Sequence, residues 1–228
     1  MSNDSPTSSH TATESDAVTA PTTPVSAAAD DARARSRLPG PERRAQVLAV
    51  ARRVLSDSGF HGTTMSDIAE AAGVTKPVLY QHFASKRDLY RTVLTDIGDR
   101  LERAVIESAV AAPSPRERAE AGIRAFARFV EDDFDGFRLL FDGTNRHDEE
   151  WAVITRDVER SLAQAVAALI DVPSADATRR QVMAYGIIGL AESMMRQAKA
   201  DGGDHYAEER LVGDITSLMW SGLRGIQP

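Results

Sequence analysis

Cysteine is absent from this 228-residue sequence, and so is any long run of apolar residues. The first absence excludes disulfide bonds, thiolate metal sites and cysteine nucleophiles. The second excludes a transmembrane helix, which needs about 20 consecutive apolar residues. The N-terminus also lacks the basic region and apolar core of a signal peptide. We therefore expect a soluble, cytoplasmic protein of one or two domains.

Basic residues are missing from one part of the chain and concentrated in the next. Residues 1–31 contain five acidic residues and no lysine or arginine, whereas residues 32–103 contain 13 basic and 8 acidic residues. The overall charge of −7 therefore hides a segment with a net charge of +5. Charge asymmetry of this kind favours an anionic partner for the basic segment.

The first 31 residues are almost wholly serine, threonine, alanine, proline and acids. Such a segment buries too little apolar surface to offset its conformational entropy, so we predict that it is disordered. The stretch that follows, up to residue 40, adds Arg33, Arg35 and Arg37. It is either a solvated linker or a basic arm that touches the DNA backbone or minor groove.

From Pro41 onward, no stretch shows the sustained alternation that is typical of a strand, and apolar residues recur at helical spacing. We predict an all-α fold of about nine helices. The first runs from Pro41 to Gly59, and a short second one runs from an N-cap at Thr64 to Gly73. Thr75 caps the third and Ser85 the fourth, which ends before Pro113. Later helices are expected at 115–133, 134–142, 147–170, 174–200 and 206–225.

The second and third helices, joined by a turn at Gly73, form a helix-turn-helix pattern. Leu79 and Phe83 face inward at i and i+4, so the opposite side of the third helix is free to enter a major groove. Candidate base-reading residues on that side are Thr75, Lys76, Val78, Tyr80 and Gln81. Candidate phosphate contacts are Thr64, Tyr80, His82 and Lys86. For Tyr80 and His82, a purely packing or capping role stays open.

The residues from Thr63 to Val74, followed by Leu79 to Phe83 and Lys86, resemble the N-terminal domain of the TetR family of transcriptional regulators. The resemblance spans roughly residues 41–103. It implies a homodimer that binds a palindromic DNA operator and changes its grip when a small molecule enters the C-terminal domain. Carried over position by position, phosphate contacts fall on Thr64, Tyr80 and Lys86, and base contacts fall on Thr75, Lys76, Pro77 and Val78.

The C-terminal half is rich in bulky apolar side chains, with five of the seven phenylalanines between residues 126 and 141. These side chains either line a cavity for a hydrophobic ligand or fill an ordinary helical core. The candidate ligand-binding residues are Phe126, Phe129, Phe137, Phe141, Trp151, Met183, Ile187 and Met194. The segment Gly136 to Phe141 and the arginine-rich lead-in also resemble actinobacterial TetR members that govern lipid metabolism. That resemblance implies a long-chain acyl-CoA effector, and a free fatty acid or a hydrophobic drug is the next candidate.

The last two helices are expected to form the homodimer interface. Small residues on the first of them permit close helix approach, and apolar residues recur on the second. The small residues are Ala184, Gly186, Gly189 and Ala191, and the apolar ones are Leu211, Ile215, Leu218, Met219 and Leu223. We therefore divide the chain into a tail and arm (1–40), a DNA-binding domain (41–103) and a ligand-binding and dimerisation domain (104–228).

Two other functions are weighed against this one. Acids cluster at 131–135 and 148–150, but the five histidines lack metal-ligand spacing, so we interpret the acids as solvated helix ends. No catalytic residue, metal or cofactor is predicted. A constitutive DNA-binding protein without an effector is the second alternative, and the acidic C-terminal half weighs against it. An apolar cavity there would favour control by a ligand.

Overall fold

The computed structural model describes residues 39–141, 149–172, 174–200 and 208–224. The predicted disordered segment and the arginines of the basic arm lie outside these ranges. Within them the chain forms nine helices and no strand, which confirms the all-α prediction. The helices are α1 Gly40–Gly62, α2 Met65–Ala71, α3 Lys76–His82, α4 Lys86–Val110, α5 Pro115–Asp132, α6 Phe134–Phe141, α7 Glu149–Leu169, α8 Ala177–Ala200 and α9 Glu208–Arg224.

A capping box begins α2, as the sequence predicts. The Thr64 hydroxyl oxygen accepts from the Asp67 amide at 3.2 Å, and the Asp67 carboxylate accepts from the Thr64 amide at 2.8 Å. The amide and hydroxyl of Thr64, helped by the charge of Lys76, hold the pKa of Asp67 below its usual value. Asp67 therefore stays ionised, and it fixes the first turn of the helix.

The turn between α2 and α3 depends on Gly73. Its φ of 64° lies in the left-handed region, which side chains other than glycine rarely adopt. The Gly73 amide donates to the Glu70 carbonyl and the Val74 amide donates to the Ala69 carbonyl. This pair of bonds is a Schellman motif, which ends α2 and aims the chain into α3.

A second left-handed glycine, Gly59, kinks α1 one turn before its end, with a φ of 68°. The predicted stop at this position is therefore a kink followed by one further turn. The Thr63 hydroxyl donates to the Gly59 carbonyl at 2.8 Å. The kink places Phe60 against Tyr90 of α4 and Trp151 of α7, with ring centroids 5.2 and 4.5 Å away.

Helix α4 is the central element of the fold. Leu89, Val93 and Ile97 on it are fully buried, and the helix packs against α5 and α7 as well as α1. At Gly98 a Cβ atom would overlap Val158, so α4 and α7 approach closely there. The described residues from Gly40 onward form one compact unit. The predicted division at residue 103 falls inside α4.

Candidate DNA-binding surface and ligand cavity

Helix α3 presents a polar, exposed face beside a buried one. Leu79 and Phe83 are buried, as predicted from their spacing. Seven residues on or just before α3 are predicted DNA contacts. Five of them are exposed and two are half-buried. The exposed ones are Thr75, Lys76, Pro77, Tyr80 and Gln81, and the half-buried ones are Val78 and His82. The exposed set combines an ammonium, two hydroxyls and an amide, the groups that hydrogen-bond to base edges and phosphates.

The hydroxyl groups at the starts of α2 and α3 differ in what they bind. Thr64 accepts a capping bond through its hydroxyl oxygen, which leaves the O–H proton for a phosphate. Thr75 occupies the N-cap position of α3 with an extended backbone but makes no capping bond through its side chain. Thr75 therefore lies at the predicted N-cap position, but its hydroxyl does not form the predicted capping hydrogen bond. That hydroxyl is therefore available to a ligand.

Lys86 makes contacts within the protomer, and its role as a phosphate contact stays a prediction. The Nζ atom donates to the Phe60 and Thr63 carbonyls, both at 2.8 Å, and lies 4.2 Å from the centroid of the Phe60 ring. Carbonyl oxygens at the end of α1 carry partial negative charge, so they attract this ammonium. Lys86 therefore links the start of α4 to the end of α1 and to the residue just before Thr64.

Arg44 on α1 is a basic residue that the sequence motif did not single out. It is exposed, and its guanidinium lies 5.1 Å from the centroid of the Phe83 ring at the end of α3. This cation–π contact holds a positive charge at the C-terminal end of α3. The signal available in the sequence was the basic character of residues 32–103, which does not distinguish one arginine from another.

An apolar cavity of about 690 Å³ lies among α4, α5, α7, α8 and α9. Its inner end is closed by buried side chains, among them Ile123, Phe126 and Leu162. Its outer end is formed by residues that are exposed or half-buried, at the start of α5 and between α7 and α8. These rim residues are Pro115, Arg118, Asp171 and Ser174. The size and the mostly apolar wall are typical of a small-molecule site.

Of the eight predicted ligand residues, Phe126 and Ile187 line this cavity. The structure places the other six elsewhere, which corrects their prediction as wall residues. Phe137 and Phe141 pack against the Phe126 ring, with centroids about 6 Å away, and form a layer behind it. Trp151 packs against the rings of Phe60 and Tyr90. The remaining three are Phe129, which lies under the Arg100 guanidinium, and the half-buried Met183 and Met194.

The cavity wall is mainly aliphatic, and sequence reasoning missed most of it. Each of five helices contributes a few residues, so no single segment is enriched enough to stand out. The missed wall residues include Val105, Ile123, Leu162, Val166, Ile188, Met219 and Leu223. The aromatic cluster that did stand out fills the core where α6 packs against α1 and α5.

None of the helices in the part of the chain that the structure describes is long and apolar enough to cross a membrane. An exposed helix-turn-helix face together with an all-helical C-terminal half defines a DNA-binding transcriptional regulator. The sequence of residues 47–93 matches the family described as bacterial regulatory proteins, tetR family.

Relatives match over most of the chain. The transcriptional activator FasR of Mycolicibacterium smegmatis is 35% identical over 189 residues, which cover 82% of this chain and 86% of FasR. A TetR-like regulator structure from Rhodococcus sp. RHA1 is 26% identical, with a TM-score of 0.68, over 83% of this chain and 100% of that one. The structure of the fatty acid degradation regulator FadR from Bacillus halodurans is 17% identical, with a TM-score of 0.70. The match covers 80% of this chain and 96% of that one. The chain belongs to the TetR family, whose members are DNA-binding regulators and not enzymes.

Proposed function

We propose that this regulator binds a palindromic operator as a homodimer and that a hydrophobic effector, bound in the apolar cavity, changes its affinity for DNA. The observation that carries the proposal is the cavity of about 690 Å³ in a chain whose helix-turn-helix face is exposed. A constitutive DNA binder has no need of such a void, because empty apolar space lowers stability.

The proposed DNA contacts follow from exposure. Lys76 and Gln81 reach base edges or phosphates from the outer face of α3, and the Tyr80 hydroxyl donates to a phosphate. Thr64 adds a second phosphate contact through its O–H proton. Half-buried Val78 and His82 contribute where the helix enters the groove, with the Val78 side chain suited to a thymine methyl.

We place the proposed dimer face on α8 and α9, as the sequence predicts, but several of the predicted interface residues do not belong to it. Leu211, Ile215 and Met219 are buried inside the protomer, and so are Ala184 and Ala191. The outer face instead combines exposed apolar side chains with small residues over which a partner helix can pack closely. It consists of Val182, Tyr185, Gly186, Gly189 and Ser193 on α8 and of Gly213, Ser217, Leu218, Ser221 and Gly222 on α9. Two copies would form a four-helix bundle.

The proposed effector is a long-chain acyl compound, with acyl-CoA as the first candidate and a free fatty acid as the second. The aliphatic wall suits a methylene chain, and the volume lies within the range of known ligand pockets, about 300 to 1,000 Å³. A neighbouring fold belongs to a regulator described as acting in fatty acid degradation. A hydrophobic drug remains the third candidate.

Effector and operator must affect each other equally if they prefer different dimer geometries. The expected coupling is typically about 1 to 3 kcal/mol, or roughly 5- to 150-fold in affinity. The test uses an operator selected from a random-sequence DNA library and acyl-CoA of increasing chain length. DNA affinity that changes with chain length, together with a rise in melting temperature, supports the proposal.

The same titration separates the alternatives. DNA affinity that stays flat across the series, without thermal stabilisation, would remove the acyl effector and favour a constitutive DNA-binding protein. Failure to enrich any operator would count against sequence-specific binding itself. Sedimentation of the free protein and of the DNA complex reports the dimer separately.

A further inference from the structure

The rim of the apolar cavity carries charge, whereas its interior carries none. Among the described residues that line the cavity, Arg118 and Asp171 alone are charged, and both lie at the outer end with Ser174. The inner end is formed by apolar side chains such as Ile123 and Phe126. A molecule that fills this space must therefore be apolar at one end and polar at the other.

Arg118 is held in place but keeps most of its hydrogen-bond donors. Its side chain is half-buried, and its Nε–H donates to the Ala112 carbonyl at 3.3 Å. Arg124, on the same helix, shows the contrast, because Glu120 and Glu209 pair with its guanidinium and raise its pKa above the usual value. Arg118 has no ion pair with an acid in the described ranges. In the part of the chain that the structure describes, its two η-amino groups make no hydrogen bond, so they can bind an anion.

Asp171 does not cancel this charge. It is exposed, so water and salt screen it, whereas half-buried Arg118 lies against an apolar wall where its field is screened less. A planar guanidinium also binds carboxylate and phosphate through two parallel hydrogen bonds. The balance at the rim therefore favours a negative head group over a positive one.

We propose that Arg118 anchors the anionic head group of an amphiphilic ligand whose apolar chain points inward toward Phe126. The inference rests on the proposed effector function and extends it by assigning the head group, its charge and its direction in the cavity. A carboxylate of a fatty acid and a phosphate of an acyl-CoA share the chemistry that Arg118 recognises.

The experiment compares four ligands that share a twelve-carbon chain: dodecanoate, dodecanoyl-CoA, 1-dodecanol and dodecylammonium. The charged ligands are kept below their critical micelle concentrations and 1-dodecanol below its solubility limit. Binding is measured by calorimetry to the wild-type protein and to Arg118→Met, Arg118→Lys and Arg116→Met. Arg116 is the matched control, because it is exposed on the same turn of α5 and does not line the cavity. Melting temperatures of all four proteins confirm that the variants fold.

We expect wild-type protein to prefer the two anionic ligands. Arg118→Met should weaken them about tenfold while changing dodecanol less than about threefold, since it removes a charge-assisted hydrogen bond and keeps the apolar stem. Arg118→Lys should restore part of the loss, and Arg116→Met should change nothing. The anionic ligand that loses more identifies whether carboxylate or phosphate contacts the guanidinium.

Two results would overturn the anchor and leave the effector proposal intact. One is equal weakening of dodecanol and dodecanoate by Arg118→Met, and the other is dodecylammonium binding as tightly as dodecanoate to the wild-type protein. If none of the four ligands binds wild-type protein, the anchor fails, and the chain-length series decides the acyl effector separately.

Discussion

The carboxylate of Asp133 lies 2.9 Å from the guanidinium of Arg52, and this ion pair ties the junction of α5 and α6 to the first helix. Asp133 also pairs with Arg100 of α4 and accepts the Gly136 amide at the start of α6. Both Asp133 and Arg52 are mostly buried. Because α5 lines the cavity and α1 supports the helix-turn-helix, a single carboxylate connects the two halves of the molecule.

Replacing Asp133 with asparagine should destabilise the protein by about 1 to 3 kcal/mol, because Arg52 and Arg100 are partly buried and would keep only Asp96 as a shared counter-charge. Asparagine keeps the shape and can still accept the Gly136 amide, so the loss reports the charge. Asp132→Asn is the matched control, since Asp132 is exposed and adjacent. Chemical denaturation measures both variants, and equal stability of the two would show that the ion pairs contribute nothing.

Gly73→Ala should lower the free energy of unfolding by about 1 to 2 kcal/mol through backbone strain alone. Its φ is 64°, and no atom lies within 4 Å of a Cβ built there, so steric overlap plays no part. Gly62→Ala is the control, because its Cβ would make an ordinary 3.6 Å contact at a position without a positive φ. A Gly73→Ala variant as stable as the control would contradict the role of the Schellman turn.

The two lysines of the helix-turn-helix region should behave differently. Lys86→Met should lower the melting temperature, because two carbonyls lose a charged donor and Phe60 loses its cation. Lys76→Met, at an exposed position, should leave the melting temperature unchanged and reduce the salt dependence of DNA binding by about one unit. Thermal melts and binding at several salt concentrations test both. An unchanged melting temperature for Lys86→Met would show that the contacts of Lys86 within the protomer contribute nothing to stability.

Leu218→Glu should abolish or weaken dimerisation without unfolding the protomer. Leu218 is 58% exposed on α9, so the carboxylate meets water in a monomer and an apolar partner surface in a dimer. Val110→Glu is the control, since Val110 is 61% exposed but lies on α4, outside the proposed face. Sedimentation equilibrium distinguishes them, and an intact Leu218→Glu dimer would place the interface elsewhere.

The local signals of the DNA-binding half were enough to predict its helices. The Thr64 and Asp67 spacing, Gly73, and the i, i+4 pair Leu79 and Phe83 each encode one short-range interaction, and each appears where it was expected. The contacts of Lys86 within the protomer could not be predicted, because its partners, Phe60 and Thr63, are more than 20 residues away. A motif records the presence of the ammonium but not the carbonyl groups that accept its hydrogen bonds.

The aromatic cluster in the sequence did not predict the cavity. A cavity forms where several helices leave space between them, and a single segment does not encode that packing. Phe137, Phe141 and Trp151 look like ligand residues in the sequence and are fully buried core residues in the structure. Apolar periodicity on α9 likewise predicts that one face is buried. It does not show whether that face packs inside the protomer or against a partner. Leu211, Ile215 and Met219 are covered by the protomer itself.

The last prediction concerns the length of the chain that the cavity accepts. Ala191 lies on the cavity wall and is buried, so Ala191→Phe should place a ring in the void and shorten the acyl chain that binds best. Filling empty apolar space should hold or raise the stability of the free protein, by up to about 2 kcal/mol. Ala168→Phe, on the exposed face of α7, is the control and should leave the preferred length unchanged. Calorimetry with acyl-CoA of increasing length measures the shift, and a variant that binds hexadecanoyl-CoA as tightly as the wild-type protein would show that the chain does not occupy this cavity.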